Sequence, residues 1–199
     1  MPQTLLIATK NPGKAREFRE MLGSDWTVLT ALDLPGLPDV VEDGTTFEAN
    51  AVKKALACVT PQADWILADD SGLEVDALHG APGVFSARFA GTPSNDASNN
   101  ALLLEKLDGV AGADRGAQFR CVLALVREGR LDRTFHGICR GRILQKPAGQ
   151  GGFGYDPLFL PDGYLRTFAE LDSEVKHRIS HRGQAMQMLI AYLQQEARS

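Results

Sequence analysis

Two consecutive β-rich segments constrain the fold of this chain more than any other feature of its sequence. Residues 117–126 and 133–144 have the composition of strands, and the turn residues Glu128-Gly129-Arg130 lie between them. This arrangement predicts a β-hairpin. Because strand and helix signals alternate elsewhere along the chain, the hairpin indicates an α/β fold with a long mixed sheet flanked by helices.

Capping signals predict where two of the helices begin. Asn11 is a plausible N-cap, and Pro12 suits the first turn of the helix that follows. The capping-box pattern Thr45-Thr46-Phe47-Glu48 predicts a second helix that continues to about Val59. The other predicted elements are strands at 5–8 and 65–68, the latter ending at Asp69, and helices at 99–107 and from about Ser180.

The length and composition indicate one domain over residues 1–199 with a substantial core. Hydrophobic residues make up 44% of the chain and charged residues 23%, with no apolar run near the roughly 18 residues that a membrane span requires. The start of the chain, Met1-Pro2-Gln3-Thr4, lacks the basic region of a signal peptide. We therefore expect a cytoplasmic protein that does not associate with membranes.

Cysteine usage and charge exclude several classes of function. Cys58, Cys121 and Cys139 are far apart and show no CxxC spacing, which argues against disulfides and a zinc site and predicts reduced thiols in or near the core. The net charge of −4 argues against binding to nucleic acid polymers, which depends on many Lys and Arg contacts to phosphates. A small anionic ligand remains compatible with a local positive cluster.

The segment 151–157, Gly-Gly-Phe-Gly-Tyr-Asp-Pro, is hereafter the glycine loop. Glycine allows positive φ and close approach of the backbone to a ligand. One interpretation is a tight connection between strands. The other is a ligand cradle, in which Phe153 stacks on a planar base and Asp156 accepts hydrogen bonds from the edge of that base.

Adjacent carboxylates indicate metal chemistry. Asp69 and Asp70 follow a buried strand, where like charges repel and neither residue favours the strand, and Glu42 lies upstream. Magnesium prefers oxygen ligands and is often held by one or two carboxylates plus substrate phosphates. Because neighbours on an extended chain point in opposite directions, we expect only one of the pair to be the main ligand or base.

Two further segments have both a structural and a functional interpretation. Residues 9–14, Thr-Lys-Asn-Pro-Gly-Lys, join a strand to a helix N-terminus, which attracts phosphate, although the P-loop spacing is absent. Ser180-His181-Arg182-Gly183 reads either as an N-cap followed by a solvated basic turn or as a contact to an anionic or carbonyl-bearing ligand. The second interpretation arises because a basic first turn opposes the helix dipole. A donor from His181 or Arg182 would favour keto purines over adenine.

Together these segments resemble the bacterial non-canonical purine nucleoside triphosphate pyrophosphatases. The resemblance runs through 9–14, 42–51, 68–73, 80–88, 151–157 and 180–183, in the family's order and nearly end to end. It implies a two-lobed α/β subunit with the nucleotide cleft between the lobes, a homodimer, and Mg²⁺-dependent hydrolysis of dITP, ITP or XTP to the monophosphate and pyrophosphate. Such an enzyme keeps these nucleotides out of DNA and RNA.

The resemblance also implies a role for each matching residue. Asp70 would be the general base and a metal ligand, Asp69 would support it, and Glu42 would be the second metal ligand. The implied phosphate contacts are Thr9, Lys10, Asn11, Pro12, Gly13, Lys14, Lys54 and Lys176. Ser71 would touch the substrate. The residues implied to hold the base are Phe153, Gly154, Tyr155, Asp156, His181 and Arg182.

Two other functions fit the same residues. A nucleotide pyrophosphatase tuned to another modified nucleotide would have the same metal and phosphate groups. A catalytically silent sensor of purine triphosphates would keep the binding groups, although the intact Asp69-Asp70 pair speaks against it.

Overall fold

A computed structural model describes residues 3–24 and 26–196; Met1 and Pro2, on which part of the leader argument rested, lie outside these ranges. Over these ranges the chain forms a sheet with the strand order β2-β1-β3-β4-β5-β6. Its strands are β1 (Thr4–Ile7), β2 (Thr27–Thr30), β3 (Trp65–Val75), β4 (Gly116–Arg127), β5 (Arg130–Ile143) and β6 (Phe159–Pro161). Its helices are α1 (Pro12–Leu22), α2 (Phe47–Ala57), α3 (Asp96–Lys106), α4 (Ser173–Ile179) and α5 (His181–Glu196).

The sheet is mixed, as the sequence predicts. β1 pairs in parallel with β2 and β3, so that Ile7 lies opposite both Thr30 and Leu67. β5 pairs antiparallel with β6. The predicted hairpin is confirmed as β4 and β5, joined by Glu128 and Gly129 with φ of 51° and 75°. Two central residues at positive φ match the twist of the flanking strands.

The predicted Asn11 cap is confirmed, and α2 starts within the predicted pattern but is capped by Thr46, one residue after the Thr45 that the spacing to Glu48 predicts. The Asn11 side chain accepts a hydrogen bond from the Lys14 N–H, with Pro12 as the first residue of α1. The Thr46 side chain accepts one from the Ala49 N–H at the start of α2. Each cap satisfies one of the donors that a helix N-terminus leaves unpaired.

Several predicted boundaries were wrong. β3 does not end at Asp69 but continues to Val75, because ionic partners inside the protein allow the acidic pair to remain in a buried strand. The predicted helix at 99–107 begins earlier, since Asn95 accepts a hydrogen bond from the Ser98 N–H and caps it. β2 and the short α4, which ends at Ile179 directly before α5, were not predicted.

The chain divides into two compact units. Unit 1 comprises residues 1–70, 121–137 and 182–199, and unit 2 comprises residues 71–120 and 138–181. In unit 1, Phe18 from α1 and Leu189 from α5 pack with Leu5 and Leu67. In unit 2, Leu103 from α3 packs with strand residues and with Tyr155 of the glycine loop. Each unit therefore has its own apolar core.

The three cysteines are reduced and buried, as predicted. Within residues 3–24 and 26–196, no helix is long and apolar enough to cross a membrane.

Candidate active site

Asp69 is the centre of an ionic network in unit 1. Its carboxylate is fully buried and accepts hydrogen bonds from Lys14 on one oxygen and, on the other, from Arg182 Nε at 3.3 Å and Cys121 Sγ at 3.2 Å. Burial opposes ionisation, but the charges of Arg182 and Lys14 outweigh it and hold the pKa of Asp69 well below its usual range. Asp69 is therefore an anion that fixes two cations.

Arg182 links α5 to α1. Its guanidinium is buried, and NH1 donates to Glu17 Oε2 at 2.7 Å while Nε faces Asp69. Although burial opposes its charge, these two carboxylates raise its pKa further above the usual value. The contact of Arg182 with a substrate base stays a prediction, because the hydrogen bonds described for its guanidinium go to Asp69 and Glu17.

Asp70 points away from Asp69, as alternation along a strand requires. Its Oδ1 lies 3.6 Å from the Lys54 ammonium. Its Oδ2 is buried, and among the described residues it has no hydrogen-bond partner. Burial raises the pKa of Asp70 although Lys54 opposes the shift. A buried oxygen without a partner is costly and is a common mark of a functional site.

Lys54 joins the carboxylates expected to hold the metal. Its ammonium donates to Glu42 Oε1 at 2.6 Å and to the Asp69 carbonyl at 2.7 Å, and it lies beside Asp70. Glu42 and Asp70 thus share one cation, and Asp70 has an oxygen available for another. Two carboxylates of this kind fit Mg²⁺, which takes its other ligands from water and phosphates. The described residues contain no cluster of three or more His, Cys, Asp or Glu side chains suited to a metal.

The predicted phosphate loop lies at the start of α1. Thr9 Oγ1 accepts a hydrogen bond from the Asn11 N–H, and Asn11 in turn caps the helix, so the loop is held by its own side chains. Lys14 reaches Asp69 with a side chain that is 17% exposed. Lys10 instead pairs with Asp39 at the surface, where both side chains are largely exposed. Lys14 is therefore close to Asp69 and Asp70, whereas Lys10 contacts a residue outside the predicted site.

The glycine loop lies in unit 2 and is organised by Asp156. Asp156 Oδ2 accepts hydrogen bonds from the Phe153 N–H at 2.9 Å and from Lys176 Nζ at 2.6 Å. The Lys176 ammonium also lies 5.0 Å from the centre of the Phe153 ring. Gly152 has φ of 72°, and an added Cβ would lie 2.9 Å from the Asp156 Cβ. Glycine at this position thus lets the backbone close on Asp156.

The other predicted residues of unit 2 are mostly buried. The Tyr155 hydroxyl donates to the Ser86 carbonyl at 2.8 Å, and burial raises the pKa of this phenol. The His181 ring stacks on Phe119 with centroids 4.7 Å apart. Ser71 is half-buried in β3. Tyr155 and His181 thus serve as packing groups in the structure, and their contacts with substrate stay predictions.

Sequence reasoning missed Cys121, which contacts Asp69, and Glu17, which pairs with Arg182. Glu17 is a charged residue that is only 6% exposed, on the same face of α1 as Lys14. Its partner Arg182 is 165 residues away, so no local pattern indicated the pair. The sequence around Cys121 likewise does not indicate that its thiol contacts the Asp69 carboxylate, which lies 52 residues away.

A model of the Ham1 family matches residues 5–192 of this chain. The chain belongs to the Ham1 family. It is 51% identical over 190 residues to the dITP/XTP pyrophosphatase of Desulforamulus reducens, covering 95% of this chain and 94% of the relative. It is 48% identical to the dITP/XTP pyrophosphatase of Geobacter sulfurreducens over 190 residues, 95% of this chain and 96% of the relative.

Solved Ham1 structures share the fold. The Staphylococcus aureus Ham1 protein superposes with a TM-score of 0.85 at 40% identity, over 98% of this chain and 100% of the other. The Mycobacterium abscessus nucleoside-triphosphatase, or dITP/XTP pyrophosphatase, superposes with a TM-score of 0.73 at 45% identity, over 94% and 98% of the two chains. The Asp69 network and the glycine loop both lie inside the span that the Ham1 model matches.

Proposed function

We propose that this chain is a Mg²⁺-dependent pyrophosphatase that hydrolyses dITP, ITP and XTP to the monophosphate and pyrophosphate. The observation that carries the proposal is the Asp70 carboxylate, buried beside Lys54 with one oxygen that has no hydrogen-bond partner among the described residues. Relatives named dITP/XTP pyrophosphatase, 48–51% identical over 95% of this chain, support the substrate class. The activity removes these nucleotides from the pool before they enter DNA or RNA.

Glu42 and Asp70 would hold the metal. Both carboxylates already contact the Lys54 ammonium, so they lie close enough to share a cation even without a bound metal. When bound, Mg²⁺ supplies positive charge to the phosphate oxygens and to the leaving pyrophosphate. Lys54 holds the two carboxylates together. It also contacts the triphosphate, as the family resemblance implies.

Asp70 accepts the proton of the attacking water. Burial raises its pKa above the usual value of a carboxyl group, which brings this base closer to the pH at which it acts. General-base catalysis of this kind contributes roughly 10²–10⁴-fold to a rate. The attack is at the α-phosphorus, as the family resemblance implies.

Lys14 and the start of α1 bind the phosphates. An ammonium has three protons, and the contact with Asp69 uses one of them, so two remain for phosphate oxygens. Asp69 therefore acts by holding Lys14, while Arg182, which is itself paired with Glu17, holds Asp69. The N-terminus of α1 adds its dipole, which favours negative charge. Thr9, Asn11 and Gly13 complete this loop.

Phe153 and Lys176 bind the base. Lys176 lies over the Phe153 ring and is fixed by Asp156, so a purine stacks on the ring while the ammonium donates to a keto oxygen. Adenine presents an amino group at that position and gains no such hydrogen bond. Base stacking is worth about 1–3 kcal/mol. This position of Lys176 favours contact with the base over the triphosphate contact that the resemblance implies.

We also propose that the protein is a cytoplasmic homodimer, as the resemblance implies. Light scattering coupled to gel filtration tests the assembly: twice the chain's 21.5 kDa is expected, and a monomer would contradict it.

Hydrolysis in ¹⁸O-labelled water tests the reaction. With ITP and Mg²⁺ we expect label in the monophosphate and none in the pyrophosphate. EDTA should abolish turnover, and added Mg²⁺ should restore it. Label in the pyrophosphate would contradict attack at the α-phosphorus, and undiminished turnover in EDTA would contradict the metal requirement.

A further inference from the structure

Two side chains of α3 hold Gly154, the residue that follows Phe153 in the glycine loop. Asp96 Oδ2 accepts a hydrogen bond from the Gly154 N–H at 2.7 Å, and Asn100 Nδ2 donates one to the Gly154 carbonyl at 2.9 Å. Residues four apart lie on the same face of a helix, so both side chains reach one peptide residue. Neither Asp96 nor Asn100 belongs to the resemblance motifs.

Gly154 has open space where a side chain would begin. Its φ is 61°, and an added Cβ would have no atom within 4 Å. The two hydrogen bonds from α3 therefore help to position its backbone. The preceding N–H group, that of Phe153, is held by Asp156. Consecutive N–H groups of the loop are thus bound by two different carboxylates.

α3 is itself fixed within unit 2. The buried Asn99 side chain accepts a hydrogen bond from the Ala90 N–H at 2.8 Å and donates one to the Ala87 carbonyl at 3.1 Å. Leu103 on the same helix is fully buried in the core of this unit. Asp96 and Asn100 therefore project from a rigid support to the loop.

We propose that Asp96 and Asn100 are positioning residues for base recognition. By holding both backbone groups of Gly154, they fix the Phe153 ring in the orientation in which Lys176 covers it and a purine stacks on it. They touch neither the base nor the reacting phosphate. The proposal rests on the proposed function, and it adds α3 to the elements that determine which base is accepted.

Asn100 offers a variant that separates positioning from stability. Its Oδ1 is buried and has no hydrogen-bond partner among the described residues. Asn100→Leu removes this costly oxygen together with the hydrogen bond to the carbonyl of Gly154, a residue that is only half-buried. We therefore expect little change in the melting temperature, although the hydrogen bond that holds the Gly154 carbonyl is lost.

Steady-state kinetics with ITP and ATP test the proposal. Asn100→Leu and Asp96→Ala should raise KM for ITP by roughly three- to tenfold, the effect of losing one ordinary hydrogen bond, with kcat nearly unchanged. The selectivity ratio, kcat/KM for ITP divided by kcat/KM for ATP, should fall as the KM for ITP rises. Asp96→Asn keeps an oxygen acceptor for the Gly154 N–H and should retain most of that ratio. Glu105→Gln, at an exposed position of the same helix, is the control and should match wild type.

The outcomes distinguish this inference from the proposed function. A wild-type protein that hydrolyses ITP and ATP equally would contradict the proposed function. The positioning role would be overturned if the wild-type protein is selective for ITP and both Asn100→Leu and Asp96→Ala retain its KM for ITP and its ratio of kcat/KM for ITP over ATP. Equal losses of kcat for both nucleotides, with KM unchanged, would also overturn it.

Discussion

Replacing Asp69 by asparagine removes the charge on which Lys14 and Arg182 converge. The substitution is nearly isosteric, but it leaves the buried Arg182 with Glu17 as its remaining carboxylate among the contacts described above. Removing one partner of a buried ion pair costs about 3–5 kcal/mol. Because Glu17 persists, we expect a loss near the lower end, about 3 kcal/mol of the free energy of unfolding.

The pH dependence of this loss has a definite sign. The pKa of Asp69 is lowered in the folded protein, so its charge stabilises the fold above the unfolded value of about 3.9. As pH falls below that value, the unfolded chain takes up the proton first and the stabilisation declines by about 1.4 kcal/mol per pH unit. The difference between wild type and Asp69→Asn should be constant from pH 8 to 5 and smaller at pH 3.

Urea unfolding, followed by the fluorescence of the buried Trp65, measures both quantities. Asp39→Asn removes a surface carboxylate paired with Lys10 and serves as the control, with no measurable loss expected. If Asp69→Asn lowers the free energy of unfolding by less than about 1 kcal/mol at pH 7, the reasoning is refuted. The ion pairs of Asp69 would then contribute no more than exposed surface pairs do. A difference that is equal at pH 7 and pH 3 would refute it too.

Other substitutions test individual roles. Asp70→Asn should abolish turnover while leaving the melting temperature within a few degrees of wild type; retention of most activity would remove Asp70 as the base. Phe153→Ala should raise KM for dITP through a loss of about 1–3 kcal/mol of stacking, and an unchanged KM would exclude the ring from the base site. Gly152→Ala should destabilise the protein by more than the about 1–2 kcal/mol of left-handed strain, since its Cβ meets Asp156, whereas Gly154→Ala has room and should cost the strain alone. Equal melting temperatures of the two glycine variants would contradict this.

The sequence predicted those parts of the fold that depend on neighbouring residues. The Asn11 cap, the start of α2 and the hairpin turn at Glu128 depend on groups within a few positions of each other, and all three are confirmed. The end of β3 was mispredicted because two adjacent aspartates are unfavourable in a strand unless distant cations pair with them. Those cations come from α1, α2 and α5, which no local pattern brings together.

The same distinction holds for the candidate site. Alternation along β3 correctly predicted that Asp69 and Asp70 face different partners. The sequence motif could not show that Lys176 lies over Phe153, since the two are on different elements and meet only through the fold of unit 2. Glu17 was missed for the same reason, because its role depends on a partner far along the chain.

The most direct test of the proposed function is the rate of pyrophosphate release from a panel of purine nucleoside triphosphates in Mg²⁺. Keto-purine recognition by Phe153 and Lys176 predicts that kcat/KM for dITP and XTP exceeds that for dATP by at least about tenfold, the effect of one well-made hydrogen bond. Under the proposed function it should also exceed kcat/KM for dGTP. Equal values for dITP, dGTP and dATP would contradict the account.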